Sequence, residues 1–188
     1  MKSLIPAIAI ATGGLLGLAS LGAQASDGTI TFTGSLSDTT CSINGVAAGS
    51  PADIPNVTLP EVSASVLGTA GATAGRLSTP ITLALTGCSG SATKAVAYFE
   101  SGPTIDQGNG YLKNMASASP ATNVEVRLLN AVFQPINIAK GSHNDIASNG
   151  ATITAGNATL NYYGEYYATG KATAGAVSTS VNYTMQYQ

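Results

Sequence analysis

From Val177 to Gln188 the chain alternates without a break. Val177, Thr179, Val181, Tyr183, Met185 and Tyr187 fall on one face, and Ser178, Ser180, Asn182, Thr184, Gln186 and Gln188 on the other. Successive side chains of a strand point to opposite sides, so a period of two in β-favouring residues predicts a long half-buried strand. Its apolar face needs a core and its backbone needs neighbours on both edges. The chain is expected to end on this strand, with no partner strand after it.

A second alternating stretch lies near the other end, Gly28-Thr-Ile-Thr-Phe-Thr-Gly-Ser-Leu36. Ile30, Phe32, Gly34 and Leu36 share one face, while Thr29, Thr31, Thr33 and Ser35 share the other. Two readings are open from this stretch alone. It is either an ordinary first strand packed on its own core, or a strand whose apolar face belongs to another molecule.

Residues 1–25 read as a secretory signal: Lys2 supplies the positive start, Leu4 to Leu21 an apolar Gly/Ala-rich run, and Ala23-Gln24-Ala25 a small-x-small cleavage site. An uncleaved membrane anchor is the rival, which the three glycines of the run and the cleavage site oppose. Removing residues 1–25 from the 188-residue chain leaves 163, the size of one domain with room for a substantial core. The domain layout expected is a signal peptide at 1–25, an N-terminal extension at 26–37 and one domain at 38–188. Seven basic against nine acidic residues leave a formal charge of −2, so no nucleic acid or anionic lipid is expected as a partner.

Two cysteines, Cys41 and Cys88, in a chain bound for an oxidising compartment predict one structural disulfide. It would add about 4 kcal/mol in the chain-entropy view. A metal site is the rival, but two thiols and the single His143 do not make a zinc set. No cofactor is expected.

Between the two ends the chain reads as short strands divided by turns. Asp38 to Ile43 is a polar hinge entering an extended piece, and residues 44–57 carry turn chemistry at Asn44-Gly45, Gly49-Ser50-Pro51 and Pro55-Asn56. Gly68 to Gly75 reads as a flexible loop. Strands are predicted at Pro80–Cys88, Lys94–Glu100, Asn123–Asn130 with Glu125 and Arg127 outward, and Thr159–Thr169. Asp106–Gly110 is a turn, Val132–Ile138 suits an edge because of Pro135, and Asn149-Gly150 signals a hairpin within Ile146–Ile153. Short strands, thin helix evidence and one disulfide predict an all-β sandwich of immunoglobulin-like architecture, without the buried Trp of antibody domains.

Catalytic sets are absent from this pattern. His143 is the only imidazole and sits in a loop, no Gly-x-Ser-x-Gly elbow occurs, and the acids are scattered singly, so the chain is not expected to be an enzyme. Tyr162-Tyr163-Gly164-Glu165-Tyr166-Tyr167 could stack on sugars, yet strand packing of one face is the simpler reading. It supports the alternative of a monomeric secreted glycan-binding module.

Five segments together carry a resemblance: Gly28-Thr-Ile-Thr-Phe-Thr-Gly34 followed at seven residues by Cys41; Lys94-Ala-Val-Ala-Tyr-Phe99; Ala121-Thr-Asn-Val-Glu-Val-Arg-Leu-Leu129; Tyr166-Tyr-Ala-Thr-Gly-Lys-Ala-Thr173; and Tyr183-Thr-Met-Gln-Tyr-Gln188. In this order and spacing the chain resembles the fimbrial subunits, or pilins, of the chaperone–usher pathway, near the major subunit of type 1 fimbriae. The resemblance implies an incomplete immunoglobulin-like sandwich that lacks its seventh strand. A periplasmic chaperone would fill the gap first. An outer-membrane usher would then let the N-terminal extension of the next subunit replace it, giving a homopolymer of identical or related pilins.

The resemblance assigns roles to particular residues. Ile30, Phe32 and Leu36 would enter pockets of a neighbour's groove and Gly34 a shallow place in it. Val181, Tyr183 and Met185 would line the groove, and Tyr187 matches the penultimate tyrosine by which a chaperone recognises a pilin. Asp38 continues the inward register of the extension, so the pairing either ends at Leu36 or meets this acid at the groove mouth. The expected product is a structural subunit of an adhesive fimbria, exported through the periplasm to the cell surface.

Overall fold

The computed structural model describes residues 31, 33, 38–54 and 57–188. The signal sequence, and Ile30, Phe32, Gly34 and Leu36 of the extension, lie outside the described residues, as does Pro55-Asn56. Nine strands are present among those described: β1 (Thr40–Ile43), β2 (Thr73–Ala74), β3 (Ile81–Ser89), β4 (Lys94–Phe99), β5 (Leu112–Lys113), β6 (Val124–Leu129), β7 (Ala151–Thr152), β8 (Ala158–Ala168) and β9 (Tyr183–Tyr187). A 3-10 turn at Ala64–Leu67 and a one-turn helix α1 at Ile146–Asn149 complete the order.

The strands form two antiparallel sheets. The larger runs β1-β3-β8-β6-β5, and the smaller runs β7-β4-β9. Strand β8 organises the larger one, because its first half, Ala158–Tyr162, pairs with β3 and its second half, Tyr163–Ala168, with β6. Beyond β3, Thr73 and Ala74 of β2 pair with Tyr167 and Tyr166. The stretch Gly68–Gly75 is therefore no free loop: besides this ladder, Gly71 N–H donates to Ala168 and Ala168 N–H to Ala72. Glycine and alanine give it no hydrophobic pattern, and a long-range pairing sets its shape.

The two sheets close on one core. Leu83 and Leu85 of β3, Val126 and Leu128 of β6, and Leu160 and Tyr162 of β8 meet Ala95, Val96, Ala97 and Phe99 of β4. Three adjacent residues of β4, Ala95, Val96 and Ala97, have no exposed surface, so its small side chains let the sheets approach closely. Tyr162 ties the layers further, with its ring edge-on to Phe99 at 5.0 Å and its Oη accepting the Ala97 N–H at 3.1 Å. Burial pushes its phenol up to about 12.

Three more expectations change in the structure. Asn149-Gly150 is not a hairpin turn but the end of α1, whose start is capped by Asp145 Oδ1 accepting the Ser148 N–H at 2.8 Å. Val132–Ile138 forms no edge strand; it folds back so that Ile136 N–H donates to Leu128 and Ile136 is buried. Glu125 points outward from its sheet but is 6% exposed, held by Asn109 Nδ2 at 2.6 Å. Its carboxyl is raised above the usual carboxylate range, first by desolvation.

Candidate strand-acceptor groove

Among the described residues, strand β9 is an edge strand. On its inner side Tyr187, Gln186, Met185, Thr184 and Tyr183 stand opposite Ala95 to Phe99 of β4. Single backbone bonds flank the ladder at both ends, where Glu100 N–H donates to Asn182 and Gln188 exchanges bonds with Lys94. Hydrogen-bonded residues alternate along an antiparallel strand. Asn182, Thr184, Gln186 and Gln188 therefore face β4, and the N–H and C=O groups of Tyr183, Met185 and Tyr187 face the other way. No described strand pairs with that outer edge.

The side-chain alternation expected from Val177 to Gln188 holds in burial throughout: every odd-numbered residue is half-buried and every even-numbered one exposed. The regular strand is shorter than the pattern, because residues 177–182 make no ladder. Val177, Val181, Tyr183, Met185 and Tyr187 all pack on the core, and none is fully buried. A row of large apolar residues stopped half-way to burial thus lies beneath a backbone edge that no described strand pairs.

The opposite wall comes from the chain around Cys41 and Ala52. The Tyr183 hydroxyl donates to the Ala52 carbonyl, and Tyr187 meets the Cys41 backbone. Desolvation raises the phenol of each, with nearby Asp53 adding to the rise at Tyr183. Ala52 is buried and Ile54 half-buried on the core, so the segment presents alternate side chains inward. Two tyrosine side chains thus reach from the smaller sheet to the segment around Cys41 and Ala52.

The Cys41–Cys88 disulfide joins β1 to β3, spanning 47 residues. Gly90, just past β3, has φ +90°, and a Cβ there would lie 2.8 Å from the Thr39 Cα. Only glycine permits that approach. Asp38 is exposed, with its side chain against Gly90. The tyrosine cluster offers no free stacking face. Tyr162 is buried, Tyr163 packs on Phe133 at 4.7 Å, and Tyr167 meets Tyr111 edge-on at 4.9 Å. Glu165 is buried in an ion pair with Arg127 at 2.6 Å. No helix among the described residues is long and apolar enough to cross a membrane.

Residues 59–188 match the model of the FimA family, type-1 fimbrial protein A. The chain belongs to this family. The major fimbrial subunit SMF-1 of Stenotrophomonas maltophilia (strain K279a) is 47% identical over 176 residues, 92% of this chain and 99% of that protein. The F17 fimbrial protein of Escherichia coli is 40% identical over 183 residues, 93% and 96% of the two chains. Among solved structures, a chain of a chaperone–usher pilus superposes with a TM-score of 0.56 at 21% identity, covering 87% of this chain and 96% of that one. The P pilus rod subunit PapA gives 0.56 at 19%, covering 79% and 99%. The incomplete immunoglobulin-like sandwich is thus the pilin fold, and the protein is a structural subunit of a bacterial surface fimbria that polymerises with other pilins.

Proposed function

We propose that this pilin is a shaft subunit that polymerises by donor-strand exchange through the groove along β9. The observation that carries the reading is the outer edge of β9, where unpaired backbone at Tyr183, Met185 and Tyr187 lies above their half-buried side chains. The donor is residues 26–37 of the next copy, whose Ile30, Phe32, Gly34 and Leu36 share one apolar face. Burying three such side chains is worth roughly 5–9 kcal/mol, an upper figure, and each new ladder bond about 0.5–1.5 kcal/mol. That sum supports a fibre that holds together without covalent links.

Before assembly the same edge needs cover, and a strand from a periplasmic chaperone supplies it, with Tyr187 as a recognition residue. An outer-membrane usher then exchanges chaperone for donor, and the fibre displays adhesive function at the surface. The test is deletion of residues 26–37. The truncated pilin should still form a soluble one-to-one complex with its chaperone and should not join fibres. A truncated chain that polymerises normally, or a full-length chain that is a stable monomer without any chaperone, overturns the reading.

A further inference from the structure

The wall that faces β9 across the groove is joined to the rest of the fold at few points. Residues 51–54 and 57–62 form no ladder. They are held by side chains: Ala52 is buried, Ile54 and Leu59 pack on the main core, and Val62 packs on a smaller cluster around Leu67 and Val124. Among the described residues their backbone makes one hydrogen bond, in which the Ala52 carbonyl accepts from the Tyr183 hydroxyl. The other end of the groove is fixed more firmly. There Tyr187 meets the Cys41 backbone, β1 pairs with β3, and the disulfide to Cys88 ties the two strands covalently.

A tyrosine side chain with its hydrogen bond reaches about 9 Å from its own backbone, close to twice the ~4.8 Å between neighbouring strands. The bond to Ala52 therefore lets the wall stand no further from β9 than about two strand spacings, which leaves room for one added strand and not for two. We infer that Tyr183 is a positioning residue for strand uptake, whose hydroxyl ties the facing wall at Ala52 and sets the gap to the width of the single segment, residues 26–37 of the next copy, that fills it. The inference rests on the donor-strand reading. Desolvation, with Asp53 beside it, raises the Tyr183 phenol, so the hydroxyl keeps the proton that it donates. With the wall already in place, an arriving strand orders less chain as it binds, so the tie acts on how firmly that strand is retained.

The test is Tyr183→Phe, which removes the hydroxyl and keeps the ring. Full-length wild-type and variant pilins, each purified as the complex with the native chaperone, are loaded with an excess of dye-labelled peptide of residues 26–37, and release of the peptide is then followed in guanidinium chloride. The variant should be recovered with its chaperone in wild-type yield and should release the peptide about fivefold faster, the factor for one net hydrogen bond. Tyr98→Phe, at an exposed tyrosine of β4, should leave the release rate unchanged. Equal rates in wild type and Tyr183→Phe overturn the inference. Slower release from the variant also overturns it, because the bond would then be a latch that the arriving strand has to break. So does a variant that forms no chaperone complex, since the hydroxyl would then serve folding rather than strand retention. A wild-type pilin that takes up no peptide overturns instead the reading on which the inference rests.

Discussion

The two long edges of the smaller sheet are finished in opposite ways. On the β4 side, β7 pairs only with Lys94 and Ala95, and beyond it side chains take over. The Ala97 N–H goes to the Tyr162 hydroxyl, the Ala97 carbonyl accepts from Asn144 Nδ2 at 2.7 Å, and the Lys94 ammonium reaches the Ala147 carbonyl. The two bonds to Ala97 are buried and the Lys94 bond is exposed. On the β9 side, the outer backbone groups of Tyr183, Met185 and Tyr187 pair with no described strand, and their side chains are half-buried. A sheet edge can be closed by side chains of its own chain when no strand is meant to come, and among the described residues this happens on one side only. The contrast fits the proposal that the other edge is a reserved place.

The largest test of this contrast is to fill the open edge from within the same chain. A copy of residues 26–37 joined after Gln188 by a flexible linker should raise the unfolding free energy by about 5 kcal/mol or more, read from the shift of the urea midpoint. The fused chain should also stop binding chaperone. Next in size, Tyr162→Ala on the sealed side should lose about 3–5 kcal/mol with or without the added strand, because it opens the core under Phe99 and strands the Ala97 N–H.

Alkaline titration gives the same residue a signature. The Tyr162 phenol is raised from about 10 in the unfolded chain to about 12 in the fold. The folded protein keeps a proton that the unfolded chain releases, so this contribution is complete below pH 10 and is lost on the way to pH 12, at about 1.4 kcal/mol per pH unit. In Tyr162→Phe the midpoint measured over this range should fall less steeply.

Asn144→Ala should cost about 1–3 kcal/mol by leaving the Ala97 carbonyl buried and unpaired, again regardless of the added strand. Smallest in the bare domain is Met185→Ala, with an expected loss under about 1 kcal/mol because Met185 is half-wet there. In the filled form the loss should reach about 2 kcal/mol, near the low end for a buried methionine. Equal losses in the two forms would erase the distinction between the edges.

The open edge was more legible in the sequence than the sealed one. Period-two alternation is a local signal; it placed β3 and β6 within a residue or so, and it marked the half-buried face of Val177 to Tyr187. Its length misled in one respect: alternating burial continues through residues 177–182, where no ladder forms. The caps on β4 have no local signature, since Asn144 lies 47 residues from Ala97 and Tyr162 lies 65. The same holds for β2, made of residues with no pattern. Glu125 and Glu165 sit at outward positions of good strands, but neighbouring turns and rings cover them, which alternation cannot report. The turn at Asp145 did carry a signal that the reading missed, because Asp is a favoured N-cap residue.

The place of the disulfide governs where mechanical tension would go. The proposed donor strand ends only a few residues before Cys41, so a pull arriving along residues 26–37 meets a covalent bond before it can load the short β1 ladder, which has an irregular register between Thr40 and Ser42. Through Cys88 the tension passes into β3, which is paired on both sides within the larger sheet. At the other joint the incoming strand would lie along β9, whose bonds to β4 run across the direction of pull and would be stretched together in shear rather than unzipped singly. Each subunit would then behave as a link whose weakest ladder is bypassed.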